Sequence, residues 1–172
     1  PYGRTGIPIM ALSGIDLALW DLLGKAQNEP VYELMGGLQK SRVRAYASAV
    51  DFERDRDCGY TAVKFSTLWT GHDSDYDETV GIAAKAREVF GPEALVMTDC
   101  YMTWDSIVSR EMARRLREYD LYWFEDVMTP DYLDEMAMLR SDVKPIFLAG
   151  GEHEFTQHGF ASILRADALD IW

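Results

Sequence analysis

Apolar side chains at 12, 15, 19, 22 and 23 within IMALSGIDLALWDLLGKA (9–26) recur at the spacing of one helix face, predicting a helix packed along one side. Asn28-Glu29-Pro30 ends that helix and starts a short second turn, which Gly36-Gly37 closes. From residue 42 the pattern changes to short β-rich runs: VRAYASAV (43–50), TAVKFS (61–66), ALVMTD (94–99), LYWFED (121–126), KPIFLAGGE (144–152) and ALDIW (168–172). Amphipathic stretches at 75–90, 105–119, 130–141 and 157–165 separate them. Near-continuous apolar strands alternating with helices predict βαβ units and a parallel sheet covered on both faces.

Asp99, Glu125 and Glu152 stand 26 and 27 residues apart, each read as terminating its strand. That even repeat, without a glycine-rich nucleotide loop after an early strand, favours a (β/α) barrel over an open doubly wound sheet. Six strand candidates are fewer than a barrel needs, and the chain stops inside an apolar run at Trp172, so it is expected to be part of a longer polypeptide. The interval DFERDRDCGY is short for a crossover helix, and residues are suspected to be missing there too.

Composition narrows the function. Twenty-nine acidic against 17 basic residues give a net charge of -12, which disfavours a nucleic-acid partner. The two cysteines, Cys58 and Cys100, form no metal or disulfide motif, and Cys100 is expected to be a small buried hydrophobe. No stretch is read as approaching the roughly 20 apolar residues of a membrane span, and a cytoplasmic protein is expected.

The functional end of a parallel α/β sheet is the carboxyl end of its strands. Three carboxylates converging there would repel one another and raise each other's pKa, a conflict that a hard divalent cation relieves through oxygen ligation. Asp99, Glu125 and Glu152 are therefore candidate Mg²⁺ ligands. Asp16 and Asp21 are assigned to capping or packing, His72 to the surface, and Trp104 and Trp123 to the core.

The segment ALSGIDLALWDLLGKAQNEPVYELMGG resembles the signature preceding the barrel in the mandelate racemase branch of the enolase superfamily. VMTDCYMTWD, YWFEDVMTPD and LAGGEHEF are similar to its three metal-ligand strands, with wording nearest the L-rhamnonate dehydratase-like acid-sugar dehydratases. The resemblance implies an α+β capping domain, of which residues 1–37 are the end, followed at 42–172 by an incomplete (β/α)7β TIM-like barrel binding Mg²⁺. It implies abstraction of the proton α to a carboxylate and loss of the 3-hydroxyl, giving a 2-keto-3-deoxy acid from an acid sugar; a homo-oligomer is expected, and from charge and hydropathy no nucleic-acid or membrane partner. Asp99, Glu125 and Glu152 become the ligands.

Many superfamily members carry Lys-x-Lys at the end of the second strand; here the place reads Lys64-Phe65-Ser66, so the second lysine's role as base is lost. Lys64 is a candidate electrostatic partner of the substrate carboxylate or of a ligand, and the base is expected beyond Trp172. His153 is a candidate proton donor to the departing hydroxyl. Glu154 alternates away from it and stands where the nearest dehydratases are expected to have a second histidine. An epimerase or racemase, or a catalytically silent metal-binding homologue, stays open beside the dehydratase.

Overall fold

The computed structural model describes residues 3–49 and 51–172. The chain divides into two compact units, Pro1–Arg44 with Phe155–His158, and Ala45–Glu154 with Gly159–Trp172.

In the first unit, α1 (Ile7–Gln27) opens with a proline in its first turn and ends at Asn28, whose φ of 56° turns the chain out of the helix. Gly24 is required by close approach, because a Cβ there would stand 2.8 Å from the Glu29 carbonyl oxygen. The short α2 (Val31–Leu34) follows Pro30. Asp21 pairs with Lys25 at 2.7 Å on the exposed surface. Two expectations change. Leu12, Ile15, Leu19 and Leu22, the predicted buried face, are all exposed, and Gly24 is the helix's only buried residue. An 18-residue window of α1 has a mean hydropathy of 1.5, so by length and composition alone the helix is long and apolar enough to cross a membrane, where the sequence reading found no such stretch.

In the second unit, five strands, β1 (Ala47–Ser48), β2 (Ala62–Ser66), β3 (Leu95–Asp99), β4 (Leu121–Glu125) and β5 (Phe147–Ala149), form one parallel sheet in chain order. A doubly wound sheet would reverse its order at a switch point; this one never does, so it is part of a TIM-like barrel. The crossovers are α3 (Phe52–Asp57), α4 (Ser74–Phe90), α5 (Ser106–Arg115) and α6 (Leu133–Asp142), with α7 (Thr156–Ala166) after β5. The interval suspected of missing residues carries the six-residue α3, started by the Asp51 carboxylate, which accepts from the Arg54 amide at 3.0 Å. Asp105 caps α5 likewise, accepting from the Ile107 and Val108 amides.

Strand extents contract. The run 43–50 pairs only at Ala47 and Ser48, with Val50 outside the described residues. The run 144–152 is strand only over Phe147–Ala149, and 168–172 contributes a single parallel bridge from Ile171 to Ala149.

Alternation divides each strand between two surfaces. Val63, Phe65, Val96, Phe124 and Leu148 join one apolar cluster with Ala83 and Ala86 of α4, Val108 and Met112 of α5, Leu139 of α6 and Ile163 of α7. The Arg87 guanidinium ties α4 to the strand starts by donating to the carbonyls of Gly91, Ala94, Tyr119 and Asp120. The other surface is chemical. Ser66, Asp99, Glu125 and Ala149 share one register row, and Lys64 with Met97, and Trp123 with Phe147, lie one step below it.

Candidate metal centre

Asp99 and Glu125 end neighbouring strands in the same row, so their carboxylates face one space. The ammonium of Lys64 fills it, 2.5 Å from Glu125 Oε1 and 3.4 Å from Asp99 Oδ2, with all three side chains between 11% and 13% exposed. Burial alone would lower the Lys64 pKa, but the hydrogen bond and charge of Glu125, helped by Tyr46 and Asp99, raise it above the ordinary lysine value. Lys64 therefore stays charged. A cation between two carboxylates is where the electrostatics favour positive charge most, and the all-oxygen donor set suits a hard divalent ion.

The other oxygen of Glu125, Oε2, accepts from the indole N–H of Trp123 at 3.0 Å. Trp123 was assigned to the core from sequence; the structure makes it a half-buried hydrogen-bond donor instead. Trp104 is buried as expected. Cys100, also expected in the core, is fully buried, and burial next to Asp99, Asp126 and Glu125 pushes its thiol pKa well up, which keeps it an inert thiol. His72 is exposed, and its amide donates to Asp75.

Glu152 does not terminate its strand. Strand β5 ends at Ala149: the Gly150 amide still donates to the Ile171 carbonyl at 3.1 Å beside the parallel Ala149–Ile171 bridge, and Gly151 then turns at a φ of 116°. Glu152 is consequently an exposed turn residue, 3.4 Å from His153 Nε2, which itself lies 3.5 Å from Asp126 Oδ2. Asp126, Glu152 and His153 bring one ligand atom each within 4.8 Å of one another, among the described residues the one grouping of its kind. The structure thus joins Asp99, Glu125 and Lys64 in one cluster and Glu152 with His153 in a second. Glu154, read as a bystander, is half-buried with its carboxylate against Gly159.

Asp126 was not singled out from sequence. It is 8% exposed at a φ of 48°, and burial raises its carboxyl pKa to about 6, opposed by the charge of His153 and helped by those of Glu152, Glu125 and Asp99. Its Oδ1 would stand 2.8 Å from a Cβ on Gly150, so that glycine makes room for the carboxylate. Gly150→Ala should accordingly destabilise the protein by about 1–3 kcal/mol, read as a lower urea midpoint at unchanged slope. An unchanged midpoint would mean that Asp126 is not confined there.

Residues 46–172 match the family model described as enolase C-terminal domain-like. The chain belongs to the enolase superfamily. Residues 4–36 match the mandelate racemase/muconate lactonizing enzyme N-terminal domain, which places the chain in that branch of the superfamily and makes α1, for all its apolarity, a helix of that domain. The L-rhamnonate dehydratase of Saccharopolyspora erythraea is 34% identical over 174 residues, covering 99% of this chain and 44% of that protein. Among solved structures, L-rhamnonate dehydratase from Gibberella zeae superposes with a TM-score of 0.91 at 34% identity, over 99% of this chain and 44% of that one. The structure of rhamnonate dehydratase from the same organism complexed with Mg gives 0.90, over 99% and 43%. The superfamily chain thus spans less than half the length of these relatives.

Proposed function

We propose that this superfamily chain carries the metal-ligand segment of a Mg²⁺-dependent hydro-lyase acting on an acid sugar. The observation carrying the reading is the pair Asp99 and Glu125, aligned at the carboxyl ends of adjacent parallel strands and already sharing a cation in Lys64. Asp99, Glu125 and Glu152 would hold the ion; Glu152 comes from the turn after β5. Bound Mg²⁺ supplies a Lewis acid for charge developing on the substrate carboxylate as the α-proton leaves.

The remaining work belongs to side chains. Lys64 offsets the negative charge of its two neighbours and, from one step below their row, adds an ammonium for an anionic substrate. Ser66 occupies the end of β2, and a hydroxyl there is no general base at neutral pH, so proton abstraction does not come from that strand. His153 is exposed beside Glu152, where an imidazole can donate a proton to a departing 3-hydroxyl. Loss of that hydroxyl and of the α-proton leaves an enol that tautomerises to a 2-keto-3-deoxy acid. The relatives named L-rhamnonate dehydratase support a six-carbon aldonate as the substrate class.

The test is a screen of aldonates with Mg²⁺ for 2-keto-3-deoxy products in the full-length protein. Glu152→Gln should lower turnover by about 10²-fold or more, since several kcal/mol of charge stabilisation depend on the ion, while circular dichroism stays unchanged. Normal turnover by that variant would remove Glu152 from the ligand set.

A further inference from the structure

Glu125 is held at both oxygens, and the two partners differ in kind. Lys64 neutralises Oε1, whereas Trp123 only orients Oε2: its neutral indole N–H donates at 3.0 Å from two residues earlier on the same strand face. The indole is itself fixed by neighbours. Tyr46 meets it edge to face at 5.5 Å, Tyr122 lies tilted against it at 5.5 Å, and Lys64 stands 5.5 Å over the Tyr46 ring. An aromatic side chain pinned in this way has little freedom to follow a swinging carboxylate, so the carboxylate follows the indole.

We propose that Trp123 is a positioning residue for Glu125, fixing Oε2 so that Oε1 stays directed at the cation position. The inference rests on the Mg²⁺ reading above and assigns Trp123 a role exerted through Glu125. Groups that hydrogen-bond a metal ligand from behind control its orientation, and losing one weakens metal affinity about 10–100-fold. Packing alone makes the opposite demand on substitutions at this site, which is what makes the role testable. Trp123→Phe keeps an aromatic ring for Tyr46 and Tyr122 but deletes the N–H; Trp123→Gln keeps an N–H at similar reach and deletes the ring.

Isothermal calorimetry with Mg²⁺ alone on the full-length chain separates the two. The expected order of affinity is wild type, then Gln, then Phe, with Phe weaker than wild type by about tenfold or more, while thermal midpoints run in the reverse order for the two variants. The Trp123 indole ¹H–¹⁵N resonance, identified by its loss in Trp123→Phe, should move on Mg²⁺ addition and stay still in Glu125→Gln. If Phe binds Mg²⁺ like wild type and Gln binds worst, Trp123 only packs, and the proposal is overturned while the metal reading stands. If wild type takes up no Mg²⁺, or Glu125→Gln binds as well as wild type, the metal reading falls and this inference falls with it.

Discussion

Lys64→Met should be the most damaging single change in the sheet, and Mg²⁺ should repair it. Asp99 and Glu125 are 13% and 12% exposed, and the ammonium between them is the only cation that the described contacts place there. Removing one partner of a largely buried ion pair costs about 3–5 kcal/mol because the remaining charge is left uncompensated; here two carboxylates are left facing each other. The residual solvent exposure argues for the lower end, about 3 kcal/mol, a fall in thermal midpoint of roughly 6–12 °C for a chain of this size. Since the folded-state pKa of Lys64 is raised, its contribution is complete throughout the neutral range and is lost only as pH rises through that elevated value. A divalent cation entering the vacated position restores charge balance, and saturation at 100 times Kd returns about 2.7 kcal/mol. Scanning calorimetry with and without Mg²⁺ checks both halves. A variant as stable as wild type would show that the carboxylates do not depend on Lys64, and a destabilised variant indifferent to Mg²⁺ would show that this position is not where the ion goes.

Why some of this was legible in the sequence and some not follows from range. Asp99 and Glu125 were visible because a strand end marked by an acidic residue after a mainly apolar or aromatic run is a local pattern, and the even repeat put the two in one row. Helices α4 to α7 were visible through their spacing, whereas α3 was not, its interval having been read as short for a crossover helix. Glu152 misled because Phe147-Leu148-Ala149-Gly150-Gly151 reads as a continuing apolar run, while the strand ends at Ala149 and the chain turns at Gly151, whose φ is 116°. Trp123 could have been found: it stands two residues before Glu125, hence on the same face, and an indole on a polar face needs an acceptor. Asp126 could not. Alternation alone sends it away from Glu125, and only the turn at Gly150 and Gly151, brought near by pairing of β4 with β5, buries its carboxylate.

That buried carboxylate carries the second large expectation. Burial raises the Asp126 pKa from the ordinary 3.8 to about 6, so the folded state holds the proton more tightly than the unfolded state does. The sign follows from linkage: a raised folded pKa gives stability that is complete below the unfolded value and is lost as pH rises through the folded one. Between roughly pH 4 and pH 6 this one group therefore removes up to about 3 kcal/mol, taking 1.36 kcal/mol per pKa unit. Asp126→Asn keeps the shape without the charge and does not titrate. Urea unfolding at pH 4, 5, 6 and 7 in a chelating buffer should show the variant near wild type at pH 4 and progressively more stable above it, with the difference levelling beyond pH 6. Mg²⁺ or another divalent cation should narrow that gap if Asp126, Glu152 and His153 share it, because an added positive charge favours the ionised carboxylate that the variant lacks. A difference between the proteins that is flat across this range would mean the carboxylate is solvated, and the close fit of Gly150 against Asp126 would then have to be given up as well.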